Sequence, residues 1–314
     1  MGRHHLLLNR ASGGNERGLD AEGVARMVEK IFREGGHEIV STMVQPGGID
    51  RALEKAVASA PDAVIIAGGD GTVSAAARRL GGTSVALGIL PMGTFNLAAR
   101  DLKIPLELEE AARFLAAAES LPIDILDVSG YACLCTTVLG FYPEFARIFE
   151  RRDHGGRWWV KMLRLVAGLP GVFDRARPLH LSWKSAEGEG RARSKFSAFV
   201  PGRYKAAAGI VPVRTEFRSG TMTAYIGTQK HASAAFRGMI DYVFGREEEN
   251  AELLFFKTSR LELRGGSRRD CLLMLDGEVL RMRFPLVFEI KPDFLRVLTT
   301  AESIADEIVN EAAP

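Results

Sequence analysis

Asp70 stands in the run Gly68-Gly69-Asp70-Gly71-Thr72, where three of four consecutive positions are glycine. Glycines let another backbone or a ligand come close. A strand that turns through them into a helix aims free N–H groups at one spot, and the helix dipole favours an anion there. Phosphate is the obvious anion. A carboxylate repels bare phosphate, so Asp70 suits holding a metal ion or polarising a hydroxyl beside the phosphates. The plainer alternative is a tight strand-to-helix turn with a bend at Asp70. Three other polar groups stand out. Asn9 and Ser12 flank a glycine-bearing turn. Gly93, Thr94 and Asn96 lie at a helix start, where they can cap the helix or meet phosphate oxygens. Asp276-Gly277-Glu278 reads by itself as a two-residue hairpin turn.

The elements around these groups follow one rhythm. His4 to Leu8, Glu38 to Val44, Ala63 to Ala67 and Val85 to Leu90 are short apolar runs suited to strands. Between the first two, Val24, Met27, Val28 and Ile31 repeat at helical spacing and stop at Gly35-Gly36. A second helix from about Asp50 turns Leu53, Ala56 and Val57 inward, and an Ala-rich helix follows Thr72. Alternation of this kind predicts a doubly wound parallel α/β sheet with ligands beyond the carboxyl ends of its strands. The turns at Asn9, Gly68 and Pro91 all fall at those ends.

Near residue 120 the rhythm changes to consecutive strands: Ile123 to Val128, Ala132 to Leu139, Leu179 to Trp183, Lys195 to Val200, Thr221 to Ile226, Leu261 to Leu263 and Leu272 to Leu275. They predict a mainly antiparallel β-sandwich domain with helical insertions at Glu144 to Arg152, Trp158 to Leu169 and Ala232 to Phe244. The expected division is 1–122 plus a C-terminal helix over about 299–314, and 123–298. The chain has 314 residues, 25% charged, with a net charge of +2, which gives no electrostatic reason to expect nucleic acid. Cys133, Cys135 and Cys271 provide neither a disulfide framework nor a zinc set. They suit core thiols in a reducing compartment. No apolar stretch reaches transmembrane length, and the residues before Asn9 are too short for a signal peptide. The expected setting is cytoplasmic.

The order Gly-Gly-Asp-Gly-Thr at 68–72, then Pro91-Met92-Gly93-Thr94-Phe95-Asn96-Leu97-Ala98-Ala99-Arg100, resembles the diacylglycerol kinase catalytic-domain family, which includes sphingosine and ceramide kinases. Asn9 to Gly13 is similar to that family's first phosphate turn. Thr42 falls where the family has a nucleotide-contacting threonine, Pro122-Ile123-Asp124 matches the entry into its β domain, and Leu275 to Glu278 matches its late Asp-Gly-Glu motif. The resemblance implies transfer of the γ-phosphoryl group of ATP to a lipid hydroxyl, with Mg²⁺ as cofactor and the nucleotide in an interdomain cleft. It implies a nucleotide site of Asn9, Ser12, Thr42, Gly68, Gly69, Asp70, Gly71, Thr72, Gly93, Thr94, Asn96 and Glu278. Asp70 and Glu278 are the metal-linked carboxylates. Asp276 and Asp70 compete as the base, with Asp276 preferred. The partners expected are a lipid substrate, the inner face of a membrane touched peripherally, and a second copy in a homodimer.

The departures are specific. Arg10 replaces the proline usual after Asn9, and Leu97 replaces an aspartate after Asn96. In several bacterial members the resemblance implies an acidic turn that binds a structural Mg²⁺. Here Arg218 and Ser219 stand where carboxylates are expected, and no residue is assigned to that ion. Trp158 to Val166 is apolar with interleaved cations; it suits either a buried helix or a membrane-facing surface. Arg147, Arg151, Arg152 and Arg157 read as phosphate ligands or as a solvated face. The alternatives to a lipid kinase are an NAD kinase-like enzyme, which also carries Gly-Gly-Asp-Gly-Thr, and a non-catalytic regulator. P-loop and protein-kinase motifs are absent.

Overall fold

The structure is a computed structural model. It describes residues 2–9, 20–45, 47–93, 95–143, 171, 173–206, 212–231, 233–234, 250–267 and 269–305. The chain divides into two compact units: Met1–Ile125 with Val213–Gly220 and Lys291–Pro314, and Leu126–Pro212 with Thr221–Ile290.

The first unit begins with the alternation expected. Its elements are β1 (Arg3–Asn9), α1 (Ala21–Glu34), β2 (Glu38–Val44), α2 (Ile49–Ala58), β3 (Ala63–Gly68), α3 (Asp70–Leu80), β4 (Ala86–Pro91), α4 (Leu97–Asp101) and α5 (Leu108–Ala117). β5 (Glu119–Val128) follows, and its last three residues belong to the second unit. β1 pairs in parallel with β2 and β3, and β3 pairs in parallel with β4. β3 and β4 are buried at every position, so both faces are covered. α1 packs on α5, and α2 on α3. α1 starts where the Asp20 carboxylate accepts from Gly23 N at 2.6 Å, and it buries Val24, Val28 and Ile31, with Met27 half-buried at the rim. Residues 291–299 return to this unit. Val297 pairs in parallel with Leu87, and Leu295 and Val297 are buried. The division expected from sequence has 291–298, and 213–220, in the β domain.

The second unit holds β6 (Tyr131–Cys133), β7 (Thr137–Gly140), β8 (Leu179–Ser185), β9 (Gly188–Ser194), β10 (Phe196–Pro201) and β11 (Tyr204–Ala206). After β12 (Pro212–Arg214) come β13 (Met222–Gly227), β14 (Leu253–Thr258), β15 (Arg260–Arg264), β16 (Asp270–Leu275), β17 (Glu278–Arg283) and the first part of β18 (Leu286–Thr299). One sheet runs β14-β13-β10-β7-β16-β17, antiparallel throughout. Facing it, β9, β8, β15 and the start of β18 form antiparallel pairs. The sheets share one core: Leu139, Met222 and Leu273 from the first meet Leu181, Leu261 and Leu286 from the second. The Phe199 and Phe288 rings stack with centroids 4.2 Å apart. This is the antiparallel β domain expected.

Three expectations differ in detail. The single strand over Ala132 to Leu139 is two strands broken by a turn at Leu134–Thr136. The polar strands β9 and β17 lack the apolar alternation that marks a half-buried strand, and β17 lies at a sheet edge. Residues 301–304 form turns rather than the start of a helix, and 306–314 lie outside the described residues. The insertions at 144–152 and 158–169 also lie outside them, as does most of 232–244. Among the described residues no helix is long and apolar enough to cross a membrane.

The base of β1 carries a pH-sensitive pair. His4 Nε2 lies 3.2 Å from His37 Nδ1, while His4 Nδ1 is buried without a hydrogen-bond partner. Burial, then the neighbouring His37, lowers the His4 pKa from 6.5 to about 4. Because the folded pKa is depressed, the unfolded chain takes up the proton first. Stability is therefore full above pH 6.5 and declines as pH falls from there towards 4. Allowing for the partly exposed ring, the loss is about 1–2 kcal/mol. Urea unfolding at pH 7.5 and pH 5 should show it, and His4→Gln should reduce the difference.

Candidate functional site

β3 delivers the chain into Gly68 and Gly69. Gly69 is extended (φ −88°, ψ 178°) and is the residue before α3, and no side chain caps that helix start. Thr72 N and Val73 N both donate to Gly69 O, at 2.9 and 3.1 Å. Those two donors are taken within the helix, so the N–H groups of Asp70 and Gly71, ahead of them at the helix start, are the ones suited to an anion. Space over Gly71 is open: a Cβ there would meet nothing within 4 Å.

The half-buried Asp70 carboxylate joins this turn to the next motif. Oδ1 accepts from Leu97 N at 2.7 Å and Oδ2 from Asn96 N at 3.0 Å. These two donors start the five-residue α4, so Asp70 caps it from 26 residues away. Asn96 has φ +51°, a left-handed conformation that asparagine tolerates. Its 6%-exposed side chain folds back on its own loop: Oδ1 accepts from Gly93 N at 2.8 Å and Nδ2 donates to Gly93 O at 3.0 Å. Asn96 thus holds the loop's shape rather than capping the helix with its side chain. Gly93 is glycine because the two motifs touch. A Cβ on it would lie 2.8 Å from Gly69 Cα and 2.9 Å from Asn96 Oδ1.

Asn9 joins the same corner. Leu8 pairs with Ala67 and Gly68 with Pro91, so the ends of β1, β3 and β4 share one level. Asn9 Nδ2 donates to Thr72 Oγ1 at 3.2 Å. Thr42 lies deeper, opposite Leu7, with its hydroxyl 2.9 Å from His5 Nε2. Burial lowers the His5 pKa. Ser12 and Thr94 lie outside the described residues. Phe95 projects at this corner with 51% exposure, its carbonyl accepting from Arg100 Nε at 3.0 Å.

In the second unit, Asp276 and Gly277 form the two-residue turn between β16 and β17, with φ of +47° and +90°. Asp276 is 4% exposed and its carboxylate faces main chain. Oδ2 accepts from Leu134 N at 2.7 Å; Oδ1 accepts from Cys135 N at 2.8 Å, Thr136 N at 3.0 Å and the Cys133 thiol at 3.3 Å. Asp276 N donates back to Thr136 O at 2.9 Å. Burial, then Asp276, pushes the Cys133 thiol well above its usual range, which keeps it a donor. Glu278, the first residue of β17, is exposed. The turn that Asp276 binds carries no signature readable in sequence.

Residues 3–128 match the model of the diacylglycerol kinase catalytic domain. The chain is 34% identical over 129 residues to a “Probable lipid kinase YegS-like” protein of Cronobacter sakazakii, covering 40% of this chain and 41% of that one. It is 34% identical over 131 residues to a diacylglycerol kinase of Mycobacterium tuberculosis, covering 40% and 42%. The aligned part spans about two-fifths of the length of these relatives. A crystal structure of a diacylglycerol kinase from Bacillus anthracis superposes with a TM-score of 0.67 at 15% identity, over 96% of this chain and 98% of that one. At that identity the likeness is one of fold, and it extends over both units. The segment that carries the Gly68–Thr72 turn, Asp70 and the Asn96 loop is the part of the chain, residues 3–128, that is similar to the diacylglycerol kinase catalytic domain.

Proposed function

We propose that this chain is a lipid kinase that transfers the γ-phosphoryl group of ATP to the hydroxyl of a diacylglycerol, ceramide or sphingoid base. The observation that carries the reading is the Asp70 bridge. One half-buried carboxylate ties an uncapped helix start to a second glycine loop, 2.7 and 3.0 Å from its donors. The residues fit a nucleotide's phosphates through the first turn of α3, with Gly71 open above it and Asn9, Thr72 and Asn96 in the same corner. They also fit Mg²⁺ in its usual manner, one or two carboxylates plus phosphate oxygens and water. Among the described residues no group of three or more His, Cys, Asp or Glu forms a cage for an ion, and Asp70 is the carboxylate that would reach it here. When bound, Mg²⁺ neutralises charge on the phosphates.

In the proposed reaction a lipid hydroxyl oxygen forms a bond to the γ-phosphorus, the bond to the bridging oxygen breaks, and ADP leaves. Asp70 orients the hydroxyl and takes its proton. Asp276 acts at one remove, by fixing the turn at Leu134–Thr136. Glu278, in the second unit, is exposed. The setting proposed is the cytoplasmic face of a membrane, with Trp158 to Val166, outside the described residues, as the contact. Purified protein, Mg²⁺ and radiolabelled ATP, offered diacylglycerol, ceramide, sphingosine and NAD, should label a lipid on thin-layer chromatography. Label on NAD alone, or on none, would sink the proposal.

The glycines offer a test in which fold and ligand separate. Gly71→Ala should melt at or slightly above the wild-type temperature, since alanine favours a helix by up to ~1 kcal/mol and has room. ATP binding should weaken about tenfold, the worth of one displaced donor contact. Gly93→Ala should melt early, because its Cβ meets backbone. Unchanged ATP affinity in Gly71→Ala would remove the phosphates from this turn.

A further inference from the structure

The segment 213–220 belongs to the first unit and is built around a buried guanidinium. Arg214 is 3% exposed. Its Nε donates to Glu216 O at 2.8 Å, and its Nη2 to Asp124 O at 2.9 Å and Phe217 O at 3.3 Å. The guanidinium carbon lies 4.8 Å from the Phe217 ring centroid. Arg214 N donates to the buried Asp101 carboxylate at 3.1 Å. Asp124, 2% exposed, points both oxygens at main chain: Oδ2 accepts from Gly220 N at 2.8 Å and Oδ1 from Asp293 N at 3.0 Å. Asp124 N donates to Phe217 O at 2.8 Å. Outside this core, Arg218 grips Asp293 with two parallel bonds, Nε to Oδ1 at 2.8 Å and Nη2 to Oδ2 at 3.2 Å.

The family resemblance implies a structural Mg²⁺ in the corresponding acidic turn. The residues here do not fit that ion. Mg²⁺ needs about six oxygen ligands at ~2.0–2.1 Å, and the carbonyls that converge in this turn already receive a guanidinium. The Asp124 oxygens are turned to N–H groups, the Asp293 carboxylate is taken by Arg218, and the remaining acid of the turn, the buried Glu216, is one carboxylate where the ion needs several oxygens. A divalent ion beside a buried guanidinium would also meet like-charge repulsion in a weakly screened place. A planar fork with five donors satisfies several carbonyls at once, which a point charge such as lysine does less well.

We propose that the Arg214 guanidinium is the resident cation of this turn, standing where a structural Mg²⁺ would bind, and that Arg218 with Asp293 completes a metal-free staple tying 213–220 to β5 and β18. The staple makes the first unit's stability independent of divalent ions.

The test is thermal melting of the full chain without nucleotide, in EDTA and in millimolar Mg²⁺. The wild type should melt at the same temperature in both. Arg214→Met should melt roughly 10 °C lower in both, as expected for emptying a buried cationic site. Arg218→Gln should lose only about 1–3 °C, because its pair is half-exposed. If Arg214→Met does not fold, the wild type and Arg218→Gln still decide the question through the chelator comparison. EDTA lowering the wild-type melting temperature by several degrees, with Mg²⁺ restoring it and Asp70→Asn showing the same loss, overturns the proposal. So does Arg214→Met melting as the wild type does. A chelator effect that disappears in Asp70→Asn belongs to the phosphate corner and leaves the turn metal-free, as proposed.

Discussion

Asp276→Ala is expected to lower the melting temperature by roughly 10 °C. The substitution strips acceptors from the buried main-chain donors of Leu134 and Cys135, the half-buried one of Thr136, and the Cys133 thiol. Each donor left unsatisfied costs about 1–3 kcal/mol, with partial relief where water enters. The alanine must also adopt φ +47°, which asparagine and aspartate tolerate better. Asp276→Asn should fall between. Its remaining oxygen can keep two of the N–H groups, but its NH₂ opposes the third. Melting and lipid phosphorylation measured on the same samples separate two roles. A positioning role predicts that stability and turnover decline together and that Asn rescues part of both. An Asn variant that melts like the wild type yet loses turnover a hundredfold or more would instead make Asp276 the base.

Asp70→Asn carries the second large effect. Under the proposed function, lipid phosphorylation drops by about 10²–10⁴-fold, the usual worth of a positioned acid–base group. Stability should change less. Asparagine can still accept from one of Leu97 N and Asn96 N, so the start of α4 keeps one of its two anchors. The expected loss is about 1 kcal/mol. ATP binding without Mg²⁺ should be unaffected or tighter, because a negative charge beside the phosphates is gone. Full activity in this variant would reduce Asp70 to a helix cap and return the base role to another residue.

The first unit's alternation was legible because β3 and β4 are buried on both faces and read as unbroken apolar runs, while α1 and α2 show a clear helical period. The glycine turns were legible for the same reason, lying where strand patterning stops. The partners of the two aspartates were not. Asp70 reaches 26 and 27 residues ahead, and Asp276 reaches more than 140 residues back, to main-chain N–H groups that any residue type provides. Likewise β18 hides behind Lys291-Pro292-Asp293, whose proline and left-handed aspartate (φ +50°) interrupt its alternation. Nothing in the pattern of 213–220 tells that it returns to the α/β unit. That return rests on Arg214 meeting carbonyls from two separate segments.

The late return of β18 matters during synthesis. The α/β unit needs Leu295 and Val297 beside β4, yet Lys291 follows Ile125 by more than half the chain. At ~5–20 residues per second, a ribosome takes about 10–30 s to cover that gap. Throughout that interval β4 emerges with one side of its hydrogen-bonding ladder open, and an open apolar strand edge pairs readily with other chains. The nascent protein thus passes through a window in which its phosphate-binding corner is already encoded and emerged but its sheet is one strand short. Slow translation or early termination after residue 125 favours aggregation over a stable half-protein, and chaperone demand should concentrate in that window.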